Sequence, residues 1–298
     1  MVISALLAAA VGLQHVRDRL YPIEAVEDDL LYFTSAETVG RMALEFRPVV
    51  ADLYWIRSLQ YYGGIQRALR TGQSLSAPTA QYASLFPLLD LTTSLDPRLG
   101  IAYRFGAIFL AEPPLGGPGR PDLAIRLLEK GLAARPDKWE YMEDIGFVHY
   151  WYDRDYMAAS AAFQKASEMA DAPIWLRPLA AATLAKGGDR QSSRTMWRAI
   201  RATAELDWLK QNADRVLLQL DALDAIDALQ RGLDRYATQT GRHATSWTAL
   251  ALAGAIRAVP VDPVGTPFEL TPEGRVILSK SSPLWPLPRE INSSEPPS

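Results

Sequence analysis

The residues that could carry out acid–base or metal chemistry are few in this sequence. Its histidines are His15, His149 and His243, and no two of them have the spacing of a metal-binding pair such as H-x-x-x-H. The absence of cysteine excludes disulfides, thiol catalysis and thiolate metal sites. The sequence also lacks the glycine-rich phosphate loops and the G-x-S-x-G nucleophile motif. We therefore predict no metal site and no cofactor, and we expect His149 to be a packed or hydrogen-bonded residue.

One group of carboxylates could serve a hydrolase. Glu140, Glu143 and Asp144 fall on or near one predicted helix and are surrounded by aromatic residues. Glycoside hydrolases use two carboxylates, and all-helical barrels can host them. Acidic residues on a surface helix are more often simply exposed to solvent, for example along a groove between helices. We therefore expect a protein without enzymatic activity, and an all-α hydrolase that uses these carboxylates is an alternative.

The overall composition is that of a folded soluble protein. Hydrophobic residues make up 48% of the 298 residues and charged residues 22%, which is ordinary for such proteins. The net charge of −3 and the lack of any Lys/Arg run contrast with the basic excess of nucleic-acid-binding domains. We therefore expect no nucleic-acid partner.

The stretch from Trp139 to Pro173 predicts a helical hairpin. Apolar residues recur three or four positions apart in each half, which is the period of an amphipathic helix. These residues are Tyr141, Ile145, Val148 and Tyr152 in the first half, and Ala159, Phe163 and Ala166 in the second. Asp153-Arg154-Asp155 supplies a polar turn between the halves. Gly146 and Ala159 are small enough to let the two backbones approach, with Phe163 beside them.

This hairpin resembles a tetratricopeptide repeat (TPR). The order of Trp139, Ile145-Gly146, Ala159, Phe163 and Ala166, followed by a closing proline, is similar to the TPR pattern, with one extra residue in the turn. A single unit of this kind cannot bury its own apolar face. Similar helical pairs occur upstream and downstream, and the closing residues Pro97, Pro136 and Pro173 recur at nearly constant spacing. We therefore predict an all-α fold, a right-handed array of TPR-like hairpins.

The remaining segments surround this array. The predicted boundaries are 1–20 for an apolar N-terminal segment, 21–48 for a lead-in, 49–204 for the repeats, 205–240 for a long capping helix and 241–298 for a small C-terminal α+β appendage. Within the appendage we predict a short helix over 246–258 and two short strands, 268–270 and 275–278. The D-P-x-G-x-P-F turn before the first strand is similar to one in the major pseudopilins of type II secretion. The Pro-rich tail from Ser281 is expected to be mobile or to lie across the surface.

The N-terminal segment is apolar from Val2 to Leu13, which is short for a membrane span. Its length fits an export signal or a short anchor, although no positive charge precedes it. The alternative is a helix that packs on the first repeat.

Further stretches extend the resemblance to a family of bacterial repeat proteins that is defined by its fold and not by an activity. They are FRPVVADLYWIRSLQYYGG, LLDLTTSLDPRLGIAYRFGAIFLAEP and IGFVHYWYDRDYMAASAAFQKASEMADAPIWLRPLAA, and the resemblance extends over roughly 51–201. Members of that family typically carry an N-terminal membrane anchor and an extracytoplasmic helical array. The resemblance therefore implies a location in the cell envelope, at the inner membrane or in the periplasm.

The TPR resemblance also implies a binding groove, because the first helix of each repeat lines the concave side. The corresponding residues are Tyr103 and Ala107 in one repeat, and Glu140, Glu143, Phe147, Tyr150 and Trp151 in the next. The Lys and Asn residues with which some TPR proteins clamp a carboxylate are replaced here by Glu143 and Phe147. An aromatic groove with acidic residues suits an extended basic or apolar peptide, although the aromatic residues could instead pack against the rest of the chain.

We therefore expect a non-catalytic scaffold that binds a protein or peptide partner during assembly of a cell-envelope complex, such as secretion, pilus or transport machinery. The alternative of the same class is a soluble cytoplasmic TPR adaptor.

Overall fold

The chain is almost entirely helical. The structure, a computed structural model, describes residues 12–13, 16, 36–71, 82–114, 116–241, 244, 246–252, 254 and 256–291. These residues form mostly α-helices and a single pair of short strands, so the prediction of an all-α fold is confirmed at this level. Contacts divide the chain into two compact units, residues 1–154 (unit 1) and 155–298 (unit 2), and each is described by itself.

Unit 1 is a succession of helices. They are α1 (Ala36–Ala43), a 3-10 turn (Leu44–Phe46), α2 (Arg47–Arg70), α3 (Leu85–Leu95), α4 (Gly100–Ala111), α5 (Pro121–Ala134), α6 (Trp139–Val148) and a π-helical turn (His149–Asp153). Helix α2 packs against α3, α4 against α5, and α5 against α6. Each of these helices thus packs against a neighbour in sequence.

The core of unit 1 depends on one close approach of helices. Leu85, Leu88, Leu127 and Leu128 are fully buried in it. A Cβ atom at Gly106 of α4 would lie only 2.9 Å from a methyl carbon of Leu89 and 3.0 Å from one of Leu127. Glycine at this position therefore lets α4 pack closely against both α3 and α5.

Unit 2 continues with helices and ends in a small mixed segment. Its elements are α7 (Tyr156–Ser167), α8 (Leu176–Lys186), α9 (Arg190–Thr203), α10 (Asp207–Thr240), α11 (Trp247–Leu252), β1 (Glu269–Leu270) and β2 (Val276–Ile277). Two helices begin at side-chain caps, because Asp155 accepts a hydrogen bond from the Ala158 amide and Asp189 from the Ser192 amide, each at 2.9 Å. Helix α10 is the long helix expected over 205–240.

The C-terminal segment packs on α10 through a short antiparallel strand pair, in which Leu270 faces Val276. Before the strands, the carboxylate of Asp262 is buried and accepts hydrogen bonds from the amides of Val264 at 3.0 Å and Thr266 at 2.8 Å. Gly265 has a φ of 88° in this turn, a value that L residues rarely adopt. The D-P-x-G-x-P-F sequence is therefore a rigid turn that leads into β1.

The described part of the tail lies on the helices of unit 2. The Gln219 side chain donates hydrogen bonds to the carbonyl oxygens of Leu284 and Pro286, both at 2.8 Å. Further along, Glu290 pairs with Arg190, which also binds Asp224 at 2.8 Å. Of the two expectations for residues from Ser281 onward, packing on the surface is the one observed up to Ile291.

One predicted helix is shorter in the structure than in the prediction, and other predictions concern residues outside the described ranges. The helix predicted over 246–258 is shorter in the structure, since α11 ends at Leu252. The N-terminal segment 1–20 and most of the lead-in are not described, apart from residues 12–13, 16 and those from Ala36 onward. The expected contact of Gly146 with Ala159 and Phe163 joins residues of the two units and stays a prediction.

Candidate functional site

Helices α4 and α6 lie side by side in unit 1, held by one arginine. Arg104 of α4 donates two hydrogen bonds to the carboxylate of Asp144 on α6, from Nε at 2.6 Å and from a terminal nitrogen at 2.9 Å. The same guanidinium lies 3.6 Å from the carboxylate of Glu143. A bidentate pair of this kind fixes orientation as well as distance. It therefore sets the outer surfaces of α4 and α6 next to each other.

The outer surface of α4 is an apolar stripe. Ile101, Phe105 and Ile108 are 48%, 50% and 49% exposed. They are three and four residues apart and therefore share one face of the helix. Large apolar side chains that form a contiguous exposed patch commonly mark an interaction site.

Stacked aromatic rings join this stripe to helix α2. The ring of Phe109 on α4 stacks on Tyr62 with centroids 4.3 Å apart, and on Trp55 at 6.2 Å. The hydroxyl of Tyr62 donates a hydrogen bond to the Gly116 carbonyl at 2.7 Å, so the loop after α4 is held against α2. Helix α4 is thus in contact with α2 through stacked rings and with α6 through the Arg104–Asp144 pair.

Glu143 is an unusual carboxyl group on the α6 side. Its side chain is only 9% exposed. Burial, followed by the nearby charge of Asp144, raises the pKa of Glu143 to about 7, and Arg104 opposes this shift. Burial also raises the pKa of Asp144, against the opposite effect of its hydrogen bonds to Arg104. At neutral pH Glu143 is therefore only partly ionised, while Arg104 pairs with Asp144.

Glu140 adds a third carboxylate with an unused acceptor. One of its oxygens lies 3.8 Å from the ammonium of Lys138. The other, Oε2, is buried and has no hydrogen-bond partner among the described residues. A buried acceptor without a donor costs free energy.

The aromatic residues predicted for the groove lie at the C-terminal end of α6 and in the π-helical turn that follows it. Trp151 is 64% exposed, whereas Phe147 and Tyr150 are partly buried. The rings of Tyr150 and Trp151 meet edge to face, with centroids 4.9 Å apart. His149 pairs through Nδ1 with Asp153 at 2.9 Å, so it is the hydrogen-bonded residue that we expected.

Tyr103 does not face a groove. It is fully buried, its ring lies 5.3 Å from that of Tyr141, and its hydroxyl donates to the Thr93 carbonyl. Ala107, which was predicted to face the groove with it, is buried too. The predicted phase of α4 was wrong, because nearly all of α4 is apolar and its sequence does not distinguish the buried face from the exposed one. Contacts with α3 and α5 bury Tyr103 and leave Phe105 outside.

Two further sets of residues were missed. The stripe of Ile101, Phe105 and Ile108 was not predicted, although its three- and four-residue spacing is visible in the sequence. On α2, Leu53 and Ile56 are also about half exposed. Apolar residues all round a helix of a soluble protein are the signal that could have indicated a second contact surface.

Together these residues form what we call the α4–α6 face: Ile101, Phe105, Ile108, Glu140, Glu143, Phe147 and Trp151. It combines exposed apolar area with carboxyl groups of α6, which is suited to binding. Within the described residues, no group of His, Cys, Asp and Glu side chains is arranged to hold a metal ion.

None of the described helices is long and apolar enough to cross a membrane. No protein-family model matches the chain, and no curated protein or solved structure is significantly similar to it.

Proposed function

We propose that the protein is a non-catalytic scaffold whose α4–α6 face binds an extended partner segment with apolar and basic side chains. The observation that carries this proposal is the exposed stripe of Ile101, Phe105 and Ile108 next to the carboxylates of α6. Apolar side chains of the partner would cover the stripe. A lysine or arginine of the partner would pair with the exposed part of the Glu140 side chain, which is 26% exposed.

A TPR-like, right-handed array is the arrangement we propose for the helices. Its support is the succession of packed neighbours α2 with α3, α4 with α5, and α8 with α9, together with the sequence resemblance. In such an array the first helices of the hairpins share one surface. Helices α4 and α6 would be first helices, and this is the surface that TPR proteins use for extended peptides.

Peptide binding tests the proposal. The probes are two capped twelve-residue peptides with the same leucines and aromatic residues, one with lysines at the polar positions and the other with glutamates. We expect the lysine peptide to bind at least tenfold more tightly, a difference of about 1.4 kcal/mol, because carboxyl groups of α6 border the apolar stripe and would repel the glutamate peptide. Fluorescence anisotropy of labelled peptides measures both affinities.

Matched variants separate the face from the rest of the surface. Phe105→Asp should abolish binding of the lysine peptide. Leu252→Asp places the same charge at an exposed apolar residue of unit 2 and should leave binding unchanged. Glu140→Gln with Glu143→Gln should remove the preference for lysine. Equal affinities of the two peptides, or equal effects of the two aspartate variants, would rule out this use of the face.

The setting we propose is the assembly of a cell-envelope complex, supported by the apolar run from Val2 to Leu13 and the family resemblance. Fractionation of the native host tests it, since recovery of all the protein in the salt-soluble cytosol would favour the cytoplasmic adaptor. The hydrolase alternative requires turnover of a glycoside that Glu140→Gln or Glu143→Gln abolishes.

A further inference from the structure

Unit 2 contains a separate apolar cavity at one end of its helices. The cavity has a volume of about 350 Å³ and lies between two loops, the one joining α7 to α8 and the one joining α9 to α10. Pro173, Ile174 and Pro178 line one side, and Ile200, Leu206 and Leu209 line the other. The volume is near the lower end of the range for ligand pockets, roughly 300–1,000 Å³. It therefore suits one large side chain and its immediate neighbours.

Large apolar residues are concentrated at this end of unit 2. Ile174 and Leu206, which line the cavity, are 54% and 45% exposed. Next to them in the chain, Trp175 is 43% and Trp208 is 52% exposed. Tryptophan is enriched among the residues that contribute most to protein–protein binding, because it supplies a large contact area. Such a concentration in the α7–α8 loop and at the start of α10 is more than the scattered apolar exposure of an ordinary surface.

Two charged residues of opposite sign complete the lining. Arg177 and Glu205 both line the cavity and are exposed. Neither has an ion pair or a side-chain hydrogen bond with another described residue, whereas Arg201 nearby is paired with Asp214. The cavity thus offers an apolar interior with one unneutralised cation and one unneutralised anion at its rim.

We propose that this cavity is a second docking site, which binds a partner-protein segment that inserts one large aliphatic side chain between an acidic and a basic residue. The aliphatic side chain would fill the space between Pro173 and Leu209. The acidic residue of the segment would pair with Arg177 and its basic residue with Glu205. The site belongs to unit 2 and does not rest on the proposed role of the α4–α6 face.

Capped pentapeptides are the probes for this site. One has a central leucine with glutamate on one side and lysine on the other, and a second has the two charges exchanged. In a third the central residue is alanine, and in a fourth both charged residues are glutamine. NMR titration of the full-length protein, read at the indole N–H of Trp208 and assigned with Trp208→Phe, measures the dissociation constants.

We expect one of the two charged leucine peptides to bind best. Its alanine analogue should bind at least tenfold more weakly, because the apolar contact is lost. The glutamine analogue should bind several-fold more weakly. Ile174→Asp should abolish binding and Arg177→Gln should weaken it, while the exposed controls Leu252→Asp and Arg198→Gln should not.

Other outcomes overturn the proposal. Equal binding of the leucine and alanine peptides would show that the cavity takes no side chain, and equal binding of the glutamine analogue would remove the role of the charges. Concentration-dependent dimerisation in sedimentation velocity that Ile174→Asp abolishes would identify a second copy of the chain as the occupant. Phe105→Asp, which disables the α4–α6 face, should leave pentapeptide binding intact, so failure of one site is distinguishable from failure of the other.

Discussion

Replacement of Glu143 by glutamine should stabilise the protein at neutral and alkaline pH and leave its stability unchanged in mild acid. Glu143 lies in the α4–α6 face with its side chain almost fully buried. Burial raises its pKa from 4.5 to about 7, even though Arg104 is close. Glutamine has nearly the same shape and carries no charge, so the variant removes the ionisation and keeps the packing.

The magnitude follows from the difference between the two pKa values. Between pH 4.5 and about 7, the folded protein retains a proton on Glu143 that the unfolded chain releases. The free energy of unfolding therefore falls as the pH rises through this window, and it is level above it. Each pKa unit corresponds to about 1.36 kcal/mol, so the loss is on the order of 3 kcal/mol. Glu143→Gln should recover this amount at about pH 8.

Urea denaturation at several pH values from about 5 to about 8 measures the effect. The wild-type protein should lose stability as the pH rises, and the Glu143→Gln variant should lose less. A ¹³C NMR titration of the glutamate carboxyl groups should show one resonance that titrates near neutral pH and is absent from the variant.

Glu129→Gln is the matched control, because Glu129 is an exposed glutamate on α5 of the same unit. It should leave the pH dependence of stability unchanged. If Glu143→Gln has the same small effect as Glu129→Gln, or destabilises the protein at about pH 8, then Glu143 is ionised at little cost and the reasoning is wrong.

Three further predictions concern packing. Phe163→Ala should cost about 3–5 kcal/mol of stability, because Phe163 is fully buried. Trp151→Ala should hardly change the melting temperature, because the ring of Trp151 is mostly exposed. Equal melting temperatures for the two variants would contradict this prediction. Gly106→Ala should cost about 1–3 kcal/mol, since the new Cβ would lie 2.9 Å from Leu89, and a neutral result in urea denaturation would show that Leu89 moves away easily. Asp262→Ala should lower the free energy of unfolding by about 1–3 kcal/mol. It should also increase amide hydrogen exchange in the turn, because the buried carboxylate of Asp262 accepts hydrogen bonds from two amides there. Unchanged exchange rates would mean that the turn forms without this carboxylate.

The elements themselves were largely predictable from the sequence, because their signals are local. The three- and four-residue spacing around Ile145 and Phe163 predicted helices at α6 and α7, and these residues are buried. The aspartates before α7 and α9 act as helix caps. The strand pair was predictable because Pro272 and Gly274 lie between two short apolar runs: proline presets φ, and glycine allows the positive φ that Gly274 adopts.

The surface that those helices present could not be predicted in the same way. Helix α4 is apolar on nearly all sides, so its sequence alone did not indicate that Tyr103 is buried and Phe105 exposed. That choice depends on which side meets α3 and α5, through the close approach at Gly106. The charge of Glu143 likewise depends on burial and on an arginine of another helix.

Periodicity thus indicated which segments form helices, because a helix forms from interactions between residues close in sequence. Tertiary structure alone decided which residues are solvent-exposed and which carboxylates are buried, because exposure and pKa depend on neighbours that are distant in sequence. For this protein, the pairing of Arg104 with Asp144, which sets the apolar stripe of α4 beside the acidic side of α6, is one such tertiary result.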